Sequence, residues 1–235
     1  LPLVVAAVLS VLLVTGLGML LERVALRPLE NGPWVAPVLS TLAISMIIDQ
    51  LAEIIWSPEG QPFPLPFEEV TFFFGGAYLT STDLMIFGFG VLAALALTLF
   101  LSRSWMGRTL RPTAQARDAA AQLGVRTGDV RRLAFGLAGA LGALSGVLVA
   151  LYFKSVFPQM GLPFGLKGFA AALLGGLSSI PGAVLGGLLL GIVETLASAY
   201  IGEGFRDLVA FSLVLGFLVF RPEGLLGDRR LGRRG

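Results

Sequence analysis

Apolar stretches without a charged side chain recur along this 235-residue chain at 1–21, 31–48, 84–102, 133–153, 168–193 and 208–220. A helix needs about 20 residues to cross ~30 Å of hydrocarbon, so the first five are of spanning length or close to it. The last holds 13 residues and becomes a plausible span if it starts near Gly204, with Arg206 and Asp207 at the interface. Charged residues make up 14% of the chain, against about 25% in soluble domains, which excludes an ordinary soluble globule. The expected fold is all-α: a polytopic membrane protein, a helical bundle of about six spans plus, or including, a broken hairpin that is either spanning or re-entrant. The first run lacks a basic leader and a small-residue cleavage site and runs straight into Glu22-Arg23, so it reads as a span and not as a signal peptide. A start at Leu1 and not Met points to a fragment or a miscalled start.

The few charges carry the orientation. Residues 102–132 hold Arg103, Arg108, Arg111, Arg117, Arg126, Arg131 and Arg132 against only Asp118 and Asp129, and the tail holds Arg221, Arg229, Arg230, Arg233 and Arg234. The stretch 49–83 has no basic residue and carries Glu53, Glu59, Glu68 and Glu69. Cytoplasmic loops are rich in Lys and Arg, so the Arg-rich loop and the C-terminus are expected inside and the acidic loop outside. The 22–30 linker, with Arg23 and Arg27, then falls inside and the chain starts outside. On this reading the net charge of +2 is a topology signal and calls for no nucleic acid.

Alternation leaves residues 168–200 to enter and return. Thirty-three helical residues reach ~50 Å, short of the ~60 Å of two full crossings. The middle reads Gly175-Gly176-Leu-Ser-Ser-Ile-Pro181-Gly182, which breaks helices. Two short half-helices or a tilted, broken hairpin are expected, and irregular backbone at that depth must be covered by protein or line a wet cavity. Small residues at Gly142-x-x-x-Gly146, with Ala138 in phase, at Gly182-x-x-x-Gly186 and at Gly187-x-x-x-Gly191 suit close helix packing.

Residues 113–123 (TAQARDAAAQL) are alanine-rich and predict a helix. Pro112 precedes it, Thr113 is its candidate N-cap and Gly124 its C′ glycine, while Thr127 is placed to cap the next helix with Asp129 in its first turn. Such a helix is a solvated connector or a docking element for a cytoplasmic partner. Asp118-Ala119-Ala120-x-x-x-Gly124 resembles the E-A-A-x-x-x-G core of the cytoplasmic loop of ABC importer permeases, with Asp for Glu. Around it lie Glu22-Arg23-x-x-x-Arg27-Pro28-Leu29, Met160-Gly-Leu-Pro-Phe-Gly-Leu-Lys-Gly-Phe169 and Leu174-Gly-Gly-Leu-Ser-Ser-Ile-Pro-Gly-Ala183. Gly186-Gly-Leu-Leu-Leu-Gly-Ile-Val-Glu194 and Phe220-Arg-Pro-Glu-Gly-Leu-Leu-Gly227 follow. Together they resemble the high-affinity branched-chain amino acid permease family, which also includes urea and amide transporters, through nearly the whole chain.

The resemblance implies a non-enzymatic membrane subunit, residues 1–235 forming one permease domain with 102–132 as its cytoplasmic coupling loop. It implies a second homologous permease, two ATP-binding cassette ATPase subunits, a periplasmic substrate-binding protein, surrounding membrane lipid, and residence in the bacterial inner membrane. No cofactor is implied. The ATPase-coupling helix would use Arg117, Asp118, Ala119, Ala120 and Gly124, Arg117 standing where relatives often carry proline. The pathway or hairpin residues would be Gly175, Gly176, Pro181, Gly182 and Glu194. Relatives usually begin with further hydrophobic segments and an Asn-Phe-Ala-His-Gly-like stretch, so this chain is expected to lack the family's N-terminal spans.

Two carboxylate groups need placing, because a charge at mid-membrane costs at least ~2.5 kcal/mol. Asp49 and Glu53, at i,i+4 near the outer end of the second run, sit either at the interface or along an acidic outer vestibule or docking contact. Glu194 is either interfacial or turned inward to line a pathway or tie helices. With no histidine or cysteine in the chain, an HExxH zinc site, a Ser–His dyad and thiolate metal sites are impossible. With lysine only at 154 and 167 and no Walker A loop, ATP hydrolysis would need a partner. A secondary transporter or channel is the remaining rival, to be separated by whether ATPase subunits copurify and uptake needs ATP.

Overall fold

A computed structural model describes residues 3–29, 33, 35–63, 68–74, 77–115, 122 and 124–227. The helices are α1 (Leu3–Leu21), α2 (Val35–Trp56), α3 (Ser81–Arg103), α4 (Trp105–Gln115), α5 (Thr127–Phe153), α6 (Gly161–Gly175), α7 (Ile180–Tyr200) and α8 (Arg206–Phe220). A π turn, Glu22–Leu26, and a 3-10 turn, Arg27–Leu29, prolong α1. Five helices among the described residues are long and apolar enough to cross a membrane: Val4–Leu29, Val35–Trp56, Ser81–Arg103, Thr127–Phe153 and Ile180–Tyr200. Their outward faces carry large apolar side chains such as Leu13, Met46, Ile54, Leu92 and Leu196. Exposed apolar surface on this scale marks a membrane or protein contact. The chain forms two compact units, Leu1–Gln159 and Met160–Gly235.

In the first unit α1 packs antiparallel on α5, and glycine sets how close they come. A Cβ added to Gly18 would lie 2.6 Å from the Phe135 carbonyl oxygen, one added to Gly139 2.6 Å from that of Val14, and one added to Gly136 2.5 Å from the Met19 methyl. Backbone contact of this kind supplies van der Waals energy where lipid provides no hydrophobic drive. Gly142 and Gly146 meet nothing within 4 Å, and neither does Gly191. Within this chain the contact of α5 with α1 therefore uses Gly136 and Gly139 and not the Gly142-x-x-x-Gly146 face. Periodicity shows that a small face exists, whereas the rotation of the helix against its neighbour decides which small face is used.

The acidic loop is tied to the end of α5. β1 (Gln61–Pro62) pairs antiparallel with β4 (Ser155–Val156), and Phe63 N–H donates to the Lys154 carbonyl at 2.9 Å. β2 (Thr71–Phe74) and β3 (Ala77–Thr80) form a hairpin with Phe73 opposite Tyr78, rings edge-on at 4.8 Å. α3 then opens on a capping box: Asp83 N–H donates to Thr80 Oγ1 at 3.4 Å and Thr80 N–H to Asp83 Oδ2 at 3.0 Å.

Five sequence expectations change here. The hairpin starts at Gly161 and not at 168, because Lys167, read as a boundary, is neutralised by carboxylates and stays inside α6. Its arms are unequal: α6 has 15 residues, about 22 Å, whereas α7 has 21, about 32 Å and a full crossing. The break thus stands at the end of a full-length helix. Asp49 does not end the second span, since α2 runs seven residues further to Trp56. Thr113 caps nothing: it lies inside α4, its hydroxyl donating to the Thr109 carbonyl at 2.7 Å, and that helix begins behind Ser104, whose Oγ accepts from Gly107 N–H at 2.8 Å. Thr127 is likewise the first residue of α5 behind Arg126, with Asp129 in the first turn as expected.

Candidate functional site

The second unit gathers the hairpin residues around a bend. Gly176 takes φ +101, a conformation that glycine alone adopts without strain. Ser179 Oγ then caps α7 by accepting from Gly182 N–H at 3.2 Å, with Pro181 in the first turn, where its missing N–H costs nothing. Gly175 and Gly182 meet backbone to backbone, as do Gly186 and Ala171, so that a Cβ at any of the three glycines would overlap a carbonyl group. The segment after α8 closes the bend. Leu225 N–H donates to the Leu174 carbonyl at 2.9 Å and Leu226 N–H to that of Gly175 at 3.0 Å, satisfying carbonyls that the end of α6 would otherwise leave open. Leu174, 1% exposed, sits in a core with Ala170, Leu190, Ala210 and Val214.

Away from the bend, Glu194 is buried between three helices. Lys167 Nζ of α6 lies 3.0 Å from its Oε1 and 2.7 Å from Asp207 Oδ1, while Arg206 Nε of α8 donates to Glu194 Oε2 at 2.9 Å. Two carboxylates face two cations, so the cluster is neutral and has no surplus negative charge for a metal ion. This arrangement holds α6, α7 and α8 together.

The first unit has its own buried carboxylate. Glu22, 1% exposed at the start of the π turn, accepts from Arg131 Nε at 2.6 Å, with Arg132 Nε 3.9 Å from its other oxygen. These arginines lie at the root of the Arg-rich loop, so Glu22 pins that loop to α1. Gly124, in the same loop, has φ +80. Arg117, Asp118, Ala119 and Ala120 lie outside the described residues.

Sequence reasoning passed over Lys167, Arg206 and Asp207 as partners of Glu194, and over Glu22 as partner of Arg131. Lys167 was nevertheless legible as a lone cation within an otherwise apolar stretch. Long-range partners across 109 residues in the chain leave no local pattern.

A predominantly helical, multi-pass membrane protein whose buried Glu22 and Glu194 are each answered by cations is the class that fold and site define. Comparison with known proteins narrows it. The chain belongs to the family described as branched-chain amino acid transport system / permease component, whose model matches residues 1–220. It is 35% identical over 225 residues to the high-affinity branched-chain amino acid transport system permease protein BraD of Pseudomonas aeruginosa, covering 93% of this chain and 72% of that protein. LivH of Escherichia coli, named as a permease protein of the same kind of system, is also 35% identical with the same coverage. The autoinducer 2 import system permease protein LsrC of Yersinia pseudotuberculosis is 32% identical over 149 residues, 58% of this chain and 42% of that protein. No solved structure matches the chain.

Proposed function

We propose that this chain is the membrane-spanning, non-catalytic subunit of an ATP-driven, binding-protein-dependent importer of branched-chain or other hydrophobic amino acids. The family match over residues 1–220 carries the reading. It works beside a second homologous permease, above two ATP-binding cassette ATPases and beneath a periplasmic binding protein, in the bacterial inner membrane with the C-terminus inside. The segment 113–123 is the element that docks on the ATPase, with Arg117, Asp118, Ala119, Ala120 and Gly124 at the contact. Gly175, Gly176, Pro181, Gly182 and Glu194 set the rigid hairpin against which the pathway moves.

The structure supplies a mechanical reason for this assignment. ATP binding shifts a two-state equilibrium only if docking differs between the states, so displacement of the loop must reach the spans. The Glu22–Arg131 contact couples the loop root to α1, and the close α1–α5 packing makes that pair of helices move as one body.

Coexpression with the companion subunits tests the proposal. The ATPases should copurify, and vesicles should take up leucine only with ATP and the binding protein. Uptake by this chain without ATP, or uptake of urea or acetamide in place of leucine, would overturn it. Gly124→Val should leave the protein inserted and abolish substrate-stimulated ATP hydrolysis. Unchanged stimulation would remove the coupling role from this loop.

A further inference from the structure

The first unit contains a pocket of about 220 Å³ where α2 faces the π turn, and Asp49 on α2 lines it. Leu26, Ile44, Ile48 and Phe135 are among its apolar wall residues, with Ser45 one turn before the carboxylate along the helix. Ser45 is the eleventh residue of the 22-residue α2, about 15 Å from its start at 1.5 Å per residue, so the pocket lies at mid-depth of the span. Asp49 is half-buried there and about 10 Å short of the helix end. A carboxylate at such a depth is costly, and such residues mark a functional position unless they are paired.

Pairing separates Asp49 from the other sunken carboxylates. Glu22 and Glu194 each meet two cations. Among the described residues no lysine or arginine lies within ion-pair distance of Asp49. The π turn is itself unusual, because such turns are rare and frequently accompany functional sites. At ~30 Å³ per water the pocket equals roughly seven waters, room for a small organic molecule. The wall accepts a branched aliphatic group, and the unpaired carboxylate calls for an ammonium.

We propose that this pocket is a transit site for a primary aliphatic amine, with the Asp49 carboxylate pairing the α-ammonium of an amino acid whose side chain lies among Leu26, Ile44, Ile48 and Phe135. This deepens the importer reading and rests on it for the identity of the solute. It requires of the ligand an amine more strictly than a carboxylate.

The chain has no cysteine, so Ser45→Cys gives a single thiol in the pocket, and Thr41→Cys, also on the wall, is a second reporter should the first not assemble. In vesicles carrying the full complex, the alkylation rate of that thiol by N-ethylmaleimide is measured with leucine, with 3-methylbutylamine, which lacks the carboxylate, and with 4-methylpentanoate, which lacks the amine. At ten times Kd a ligand leaves about one site in eleven free, so leucine and the amine should slow alkylation about tenfold and the acid should leave it unchanged. Adding Asp49→Asn should abolish the protection. Protection by the acid equal to that by the amine, protection that survives Asp49→Asn, or no protection by leucine and the amine would each overturn the proposal. So would loss of the second permease from the complex on Asp49→Asn, because Asp49 would then pair with a cation across the subunit boundary. ATP-driven leucine uptake in the same vesicles separates the two claims: uptake without protection removes the pocket alone, whereas protection without uptake removes the importer reading and leaves an amine site.

Discussion

Replacing Glu194 by alanine should destabilise the second unit by about 3 kcal/mol, the low end of the 3–5 kcal/mol range for removing one partner of a buried ion pair. The low end follows from what stays behind. Lys167 keeps Asp207 at 2.7 Å, and the Arg206 side chain is 45% exposed and can turn to water. About 3 kcal/mol is roughly a hundredfold in the unfolding equilibrium. The assay is reversible unfolding in mixed micelles, run as a double-mutant cycle with Lys167→Ala, in which contacting residues show coupling of about 0.5–3 kcal/mol. Coupling near 2 kcal/mol is expected, because the Lys167–Glu194 contact is one of three in the cluster. Glu194→Gln, which still accepts a hydrogen bond from Arg206, should fall between alanine and the native residue. A loss below about 0.5 kcal/mol for Glu194→Ala, the usual size of a surface substitution, would show that the carboxylate is solvated and does not tie the three helices.

Other consequences are as direct. Gly182→Val should prevent the hairpin from closing, since its Cβ would overlap the Gly175 carbonyl, whereas Gly142→Ala meets open space and should leave yield and melting unchanged; expression and detergent stability of the two distinguish these outcomes. Leu174→Ala should cost about 2–5 kcal/mol by leaving a cavity under the bend, read in the same unfolding assay. In the acidic loop, the Lys154 ammonium, 2.6 Å from Glu69 Oε2, and the Thr82 hydroxyl hold the Glu69 carboxyl below its ordinary value of 4.5. A free loop therefore binds the proton more readily than the docked one, so the contribution of this pair to docking is fully present above pH 4.5 and is lost as pH falls through the lowered value. Amide hydrogen exchange of residues 68–82 should show this, and Glu69→Gln should remove the pH dependence.

The first four long apolar helices, their approximate limits and the helix break were legible in the chain, because hydrocarbon thickness imposes a length and glycine with proline imposes an interruption; about six spans were expected, whereas five described helices are long and apolar enough to cross, α6 and α8 having 15 residues each. Charge asymmetry between loops was equally legible, and the structure joins loop regions assigned to the same side: Gln61–Pro62 pairs with Ser155–Val156, and Glu22 with Arg131. These signals are local, or nearly so. What remained hidden depended on partners far away in the chain. Lys167 and Asp49 each read locally as a span limit, because a lone charge is costly in lipid. The fold treats them differently, answering Lys167 with Glu194 and Asp207 while leaving Asp49 at the wall of a pocket. Glycine spacing likewise announced small helix faces, and only the rotation of α5 against α1 selected Gly136 and Gly139 over Gly142 and Gly146. The sequence by itself determined that the chain lies in a membrane, roughly where it crosses and where the hairpin breaks, since those follow from solvation and backbone conformation residue by residue. The tertiary structure alone decided which charges neutralise each other and which glycines touch, since pairing and close packing depend on distances between helices that no single stretch of sequence contains.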